Sequence, residues 1–235
     1  MQTINCGLEK MHEFLLSNGC SFLSKRKGVN EHTGVLLANN LGLEHIGLAS
    51  EGSGNDRLVV TTKLFFYENP ERIKDTFVLV GWTNPARIDY IKNHQKPPWG
   101  ENWFSLKKKR EKLAQDPAWE TYKKVHNYEN LMARMLRQIL EMQDFFENLG
   151  IKYCMYHSLN VLPYNIKVEL KKLRLLKDRI NENRFYKLIK DSQQILVNSD
   201  RSRLVISEKD LHPNKEGHLA WYKKIRDFIE KNNLT

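Results

Sequence analysis

The sequence predicts an α/β fold in which a parallel sheet is covered by helices on both faces. Two observations carry this. Short apolar runs alternate with stretches of helical periodicity along most of the chain, the pattern of successive β-α-β units. One run, Thr76-Phe77-Val78-Leu79-Val80, has no polar face. A strand of that kind belongs in the middle of a parallel sheet, buried on both sides.

Taken in order, residues 1–13 are a short leader without a period. Phe14-Leu15-Leu16 is the first strand, and the Asn18-Gly19 turn hands Ser21 to a following helix. Residues 28–30 are a loop. Val35, Leu36, Leu37, Ala38 and Leu41 recur at helical spacing over residues 31–41, and Gly42 stands where a helix terminator belongs. Residues 45–49 are a short strand, Gly52-Ser53-Gly54-Asn55 is a turn, and residues 56–67 are helical, with Leu58, Val59, Leu64 and Phe65 apolar. The central strand ends at Gly81-Trp82-Thr83-Asn84-Pro85, and residues 87–91 add a short extended piece.

The chain reads as a single domain over 1–235 with a basic, Trp- and Lys-rich insertion at about 92–125, which holds Pro97-Pro98-Trp99-Gly100 and Lys107-Lys108-Lys109-Arg110. Residues 128–149 are a long amphipathic helix with Leu131, Met135, Ile139, Met142 and Phe146 on one stripe, ended by Gly150. Residues 151–156 are a strand. Residues 161–190 are basic and read as helical, and residues 195–198 as a short strand. The last helix starts near Pro213 and runs to about residue 231, with Leu219, Tyr222, Ile225, Phe228 and Ile229 facing inward.

The net charge is +10. It fits an anionic neighbour, such as nucleic acid, an acidic glycan or a membrane surface, and fits equally a solvated lysine-rich surface. No recognised nucleic-acid motif accompanies it. The three cysteines, Cys6, Cys20 and Cys154, form no CxxC pair, which argues against a disulfide framework or a zinc cluster. Cys20 reads as a small buried filler. Neither a secretion signal nor a membrane span is visible, so a cytoplasmic location is expected, with release by lysis or as part of a particle as the route to any external substrate.

Serine chemistry needs a hydroxyl, an imidazole to take its proton, a group to orient that imidazole, and donors for the oxyanion. Ser21, His212 and Asp210 suit the first three roles, and Asp210 lies two residues before His212, so one loop can carry both. Each also has a plainer use. Ser21 and Asp210 are good helix N-caps, and His212 and His218 read as surface histidines. The loops at Ser21, Gly52 and Asn84 each follow an expected strand, and in a parallel sheet such loops share the carboxyl edge, where ligands bind. Asp56-Arg57 reads as an ion pair fixing the glycine loop. Arg87 can serve an anionic substrate or a structural ion pair. Trp82, Trp99, Trp103 and Trp119 can stack sugars or form a small core of the insertion.

Four blocks in order resemble the SGNH (GDSL-like) hydrolase family: Asn18-Gly19-Cys20-Ser21-Phe22, Glu51-Gly52-Ser53-Gly54-Asn55-Asp56-Arg57, Gly81-Trp82-Thr83-Asn84, and Asp210-Leu211-His212-Pro213-Asn214-Lys215-Glu216-Gly217-His218. They span about residues 14–230. The resemblance implies a flavodoxin-like three-layer α/β/α sandwich and ester hydrolysis without metal or cofactor. It implies Ser21 as nucleophile, His212 as base and then acid, and Asp210 as its orienting partner. The oxyanion would be met by the backbone N–H groups of Ser21 and Gly52 and the Asn84 amide, with Thr83 as the alternative to Asn84. The substrate expected is a small-molecule or glycan ester, acetylated in the simplest case. The reading from another class is a binding or structural protein that keeps this fold without efficient catalysis.

Overall fold

The computed structural model describes residues 12–26, 28–91, 103–106, 127–161, 171 and 173–235. In chain order its strands are β1 (Phe14–Asn18), β2 (Glu44–Gly47), β3 (Thr76–Trp82), β4 (Ile88–Ile91), β5 (Trp103–Leu106) and β6 (Lys152–His157). Its α-helices are α1 (Thr33–Leu41), α2 (Asn55–Glu68), α3 (Tyr128–Leu149), α4 (Arg174–Lys177), α5 (Gln193–Ser199), α6 (Arg201–Leu204) and α7 (Lys215–Lys231). Strands β2, β1, β3 and β6 lie side by side in that order, all parallel, and β4 pairs antiparallel with β5.

Strand β3 is buried along its whole length, from Thr76 to Trp82. Its side chains alternate between two cores, as the two-residue period of a strand requires. Val78, Val80 and Trp82 join Leu16 of β1 and Tyr153 and Met155 of β6 beneath α2 and α3. Phe77 and Leu79 join Leu15, Cys154 and Tyr156 on the opposite face, beneath α1 and α7. The fold is therefore a three-layer α/β/α sandwich with a parallel sheet, the class expected from the sequence. Burying each large apolar side chain contributes roughly 1.5–3 kcal/mol.

Helix α3 has the bounds and the stripe read from the sequence. Leu131, Met135, Ile139, Met142 and Phe146 are all buried. The Asn127 side chain accepts from the Asn130 N–H at its start, and Gly150 ends it in the left-handed conformation, φ 69°. Beyond β6 the sheet is continued by one parallel bridge, in which the Met155 N–H donates to the Arg184 carbonyl (2.8 Å) and the Tyr186 N–H to the Met155 carbonyl (2.8 Å). This covers the strand edge that would otherwise be open.

Several expectations are corrected. Residues 195–198 lie in helix α5 rather than a strand, because the Ser192 hydroxyl accepts from the Ile195 N–H and starts a helical turn that buries Val197. Of residues 161–190, only Arg174–Lys177 is α-helical among those described, and residues 178–190 run mainly as turns. Leu173 and Ile180 are buried there and Leu176 packs against the same core, so short turns rather than one long helix anchor the segment. In α7, Trp221 takes the inward place expected of Leu219, which is exposed. The insertion at 92–125 lies outside the described residues except for β5. Trp82 is fully buried and unavailable for stacking on a sugar.

Buried histidines set the response to acid. His218 is buried rather than at the surface, and His32 and His157 are buried with it. Burial lowers His157 to about 3. Burial, then the charges of His32 and His212, lowers His218 to about 3. Burial, then His45, lowers His32 to about 4. The folded protein thus holds these rings neutral well below the pH at which an unfolded chain protonates them, about 6.5. Stability is full above that value. It falls as the pH drops from about 6.5 towards 4, by about 1.4 kcal/mol per pH unit for each such histidine. Urea unfolding midpoints at about pH 7.5 and pH 5 should therefore differ strongly, the acid one being lower; equal midpoints would show that these rings titrate normally in the fold.

Candidate functional site

The carboxyl ends of β1, β2 and β3 share one edge of the sheet. The Asn18 side chain is buried there, with Nδ2 within hydrogen-bond distance of the Leu58 carbonyl (3.2 Å), Thr61 Oγ1 (2.9 Å) and Thr62 Oγ1 (2.8 Å) of α2. Its Oδ1 accepts from the Gly19 N–H at 2.8 Å. Gly19 then passes tightly against β3, where a Cβ would sit 2.8 Å from the Gly81 carbonyl oxygen. The Gly19 carbonyl accepts from the Ser50 N–H (3.3 Å), tying the loop after β2 to the loop after β1.

Ser21 follows in a tight turn closed by the Leu23 N–H on the Cys20 carbonyl (2.8 Å), with Cys20 buried as expected. The turn does not start a helix; α1 begins only at Thr33. The polar Ser24-Lys25-Arg26 stretch is used to reach the site instead.

The opposite wall is the loop into α7. Asn214 caps that helix, accepting from the Gly217 N–H (2.9 Å), and its amide nitrogen donates to the carbonyls of Arg203 (2.7 Å) and Val205 (3.0 Å). Asp210, the cap considered from the sequence, is therefore free for another use. Gly217 lies so close to α6 that a Cβ would come within 2.3 Å of the Leu204 carbonyl oxygen.

This packing brings together residues 191 positions apart. His212 Nε2 lies 2.8 Å from Ser21 Oγ, and His212 Nδ1 lies 2.5 Å from Asp210 Oδ1. The Phe22 ring packs at 5.3 Å from the imidazole. Burial pushes the Asp210 carboxyl upward, but hydrogen bonds from the His212 side chain and backbone, and the charges of His212 and Arg26, outweigh it and hold the group below the usual carboxylate range.

Arg26 is the residue that sequence reasoning missed. Its Nη2 lies 3.3 Å from Asp210 Oδ2, and its Nη1 lies 3.0 Å from His212 Nε2 and 3.4 Å from Glu51 Oε1. It belongs to none of the four blocks, and its only signal is a place on the loop just after Ser21.

Gly52 lies in the loop after β2 with φ 76°. The Gly54 and Arg57 N–H groups donate to Asp89 Oδ2 (2.6 and 3.3 Å), so the start of α2 is closed by a carboxylate from β4. Asp56 does not fix the glycine loop through Arg57. It pairs with Arg134, accepts from Gln138 Nε2 (2.9 Å) and accepts from the Asp89 N–H (3.0 Å). Asn84 Nδ2 donates to the Asn160 carbonyl (2.8 Å) and its Oδ1 accepts from the Ala86 N–H (2.9 Å). Thr83, the alternative donor, is fully buried, and its N–H donates to Asn55 Oδ1 (2.9 Å).

Beside His212 opens a cavity of about 650 Å³, lined by Phe22, Asn84, Ala86, Arg87, Leu159, Gln194, Lys209, Asp210, Leu211 and His212. That volume suits a small-molecule ligand. Among the described residues no helix is long and apolar enough to cross a membrane.

No family model and no curated protein matches the chain. Solved structures do. The psychrotrophic esterase EstA from a Pseudoalteromonas species, in a structure inhibited by monoethylphosphonate, aligns with 93% of this chain and 97% of its own, at 14% identity and a TM-score of 0.51. A putative lipolytic protein of the G-D-S-L family from Desulfitobacterium hafniense aligns with 92% of this chain and 99% of its own, at 12% identity and a TM-score of 0.51. The chain thus shares the fold of these proteins over nearly its whole length.

Replacing Asn18 by Ala should leave the buried Gly19 N–H without its acceptor and remove the amide contacts to α2, at a cost of about 1–3 kcal/mol, since an unsatisfied buried polar group carries its full desolvation penalty. Urea denaturation would measure the loss; an unchanged midpoint would mean that the amide does not hold β1 to α2.

Proposed function

We propose that the protein is a serine hydrolase that cleaves an O-acyl ester, in the simplest case an acetyl ester and in its finer form one borne by a carbohydrate. The observation that carries this reading is the continuous line from Ser21 Oγ to His212 Nε2 (2.8 Å) and from His212 Nδ1 to Asp210 Oδ1 (2.5 Å). The fold shared with the Pseudoalteromonas esterase supports it.

In this reaction Ser21 Oγ attacks the acyl carbonyl while His212 Nε2 takes its proton. Asp210 holds the Nδ1–H tautomer and stabilises the imidazolium. The imidazolium then gives its proton to the leaving alcohol, and water repeats the cycle on the acyl-enzyme. The tetrahedral oxyanion falls to the backbone N–H groups of Ser21 and Gly52 and to the Asn84 amide. One of the two Asn84 N–H bonds is held by Asn160, which leaves the second for the substrate. A single donor of this kind is worth about 3–4 kcal/mol of barrier. No cofactor or metal enters this scheme.

A second reading has its own observation. Arg26 Nη1 donates towards the same His212 Nε2 that must receive the Ser21 proton. A guanidinium in that place suits a protein that keeps the fold for binding and does not turn over.

Ser21→Ala should lower kcat for a short-chain aryl acetate by about 10³-fold or more, and Asp210→Asn by about 10³–10⁴-fold. A fluorophosphonate probe should label the wild type on Ser21 and leave Ser21→Ala unmodified. Absence of both hydrolysis and labelling would sink the hydrolase reading. Arg26→Gln separates the two readings: hydrolysis falls if the guanidinium serves Asp210, and rises if it blocks the base.

A further inference from the structure

The cavity beside His212 has an uneven supply of hydrogen-bonding groups. Each of its amide oxygens already holds one bond from the protein. Asn84 Oδ1 accepts from the Ala86 N–H and Gln194 Oε1 from the Asn160 N–H (2.9 Å). Asp210, the one carboxylate in the lining, is bound to His212 and Arg26. The donors are in surplus. Arg87 spends one bond, from Nη1 to the Ser53 carbonyl at 3.3 Å, and has no carboxylate partner among the described residues. Lys209 has no hydrogen bond or ion pair with any described residue, and the Gln194 amide nitrogen is likewise uncommitted. Arg26, by contrast, is offset by Glu51 and Asp210.

A cavity with two cations that have no carboxylate partner among the described residues, and with further amide N–H groups, recognises a ligand rich in acceptor oxygens, and charged oxygens best, because charge-assisted hydrogen bonds are about twice as strong as neutral ones. The apolar part of the lining, Phe22, Leu159 and Leu211, gives the rest of such a ligand a surface to cover. We propose that the ester taken by this site bears an anionic oxygen group, of which a carboxylate is the simplest, held by Arg87 and Lys209 while Ser21 meets the acyl carbon. The placement of the acyl carbon rests on the hydrolase reading; the anion preference rests only on the cavity.

The test uses para-acetoxybenzoate and its neutral amide, para-acetoxybenzamide, with each enzymatic rate divided by the spontaneous rate of the same ester. The wild type should favour the benzoate by about tenfold in kcat/KM, chiefly through KM, and added salt should erode the ratio. Arg87→Gln and Lys209→Gln should each reduce the ratio several-fold, and together bring it near one. A wild-type ratio near one, or a ratio that both substitutions leave unchanged, overturns the proposal.

Calorimetric titration of Ser21→Ala with the two intact esters keeps this apart from the question of catalysis. Tighter binding of the benzoate, lost when both Gln substitutions are added, supports the anion site even if the wild type hydrolyses neither ester, in which case only the hydrolase reading fails. Equal binding of the two esters overturns the anion site whatever the turnover.

Discussion

The structure depends on the burial of β3. A strand with every residue from Thr76 to Trp82 hidden needs neighbours on both edges and helices on both faces. Strands β1 and β6 supply the edges, α2 and α3 one face, and α1 and α7 the other. Because the strands run parallel, their carboxyl ends open together, and the loops leaving β1, β2 and β3 meet there. The candidate site is a consequence of satisfying that one strand.

The same packing carries His212 to Ser21. Nothing local in residues 207–212 points an imidazole at a serine 191 positions away. Helix α7 does so because Trp221, Ile225 and Ile229 bury against the sheet, and because Gly217 and Asn214 fix its first turn on α6 and the strand-like bridge at Val205. Small errors in that docking are costly, since a hydrogen bond weakens steeply with angle and distance. The short Asp210-Leu211-His212 spacing is accommodated because the loop folds back on itself, with Ser207 and Asp210 exchanging N–H to carbonyl bonds at 3.1 Å.

How much of this is legible in the sequence follows from where the deciding forces act. The run at 76–80 and the stripe at 131–146 are readable because burial there is periodic and continuous. Ser21, His212 and Asp210 are readable through ordered blocks. Ile195–Asn198 misleads because an apolar run of three, Ile195-Leu196-Val197, is compatible with strand and helix alike, and the deciding contact is a hydroxyl cap from Ser192. The buried His218 misleads because its burial comes from α1 and α5, through Thr33 and Gln193, which lie far away in sequence. Arg26 gives no sign beyond its place just after Ser21: its contacts come from three partners, Glu51, Asp210 and His212, drawn from two other loops.

Arg26 also shows why overall charge says little about a site. In the proposed reaction, proton transfer from Ser21 creates an imidazolium beside a guanidinium, and two like charges at that range oppose each other. The arrangement is tolerable only if the guanidinium is compensated elsewhere. Glu51 meets Arg26 Nη1 at 3.4 Å, and Asp210 divides its oxygens, Oδ2 towards Arg26 Nη2 and Oδ1 towards His212 Nδ1. The Glu51 side chain is 62% exposed and that of Asp210 33%, so water screens the outer pair more than the inner one. The carboxylate that matters most for an imidazolium is thus the one whose field is least diluted. A net charge of +10 over the chain draws no such distinction; it is made by three side chains brought together from three loops.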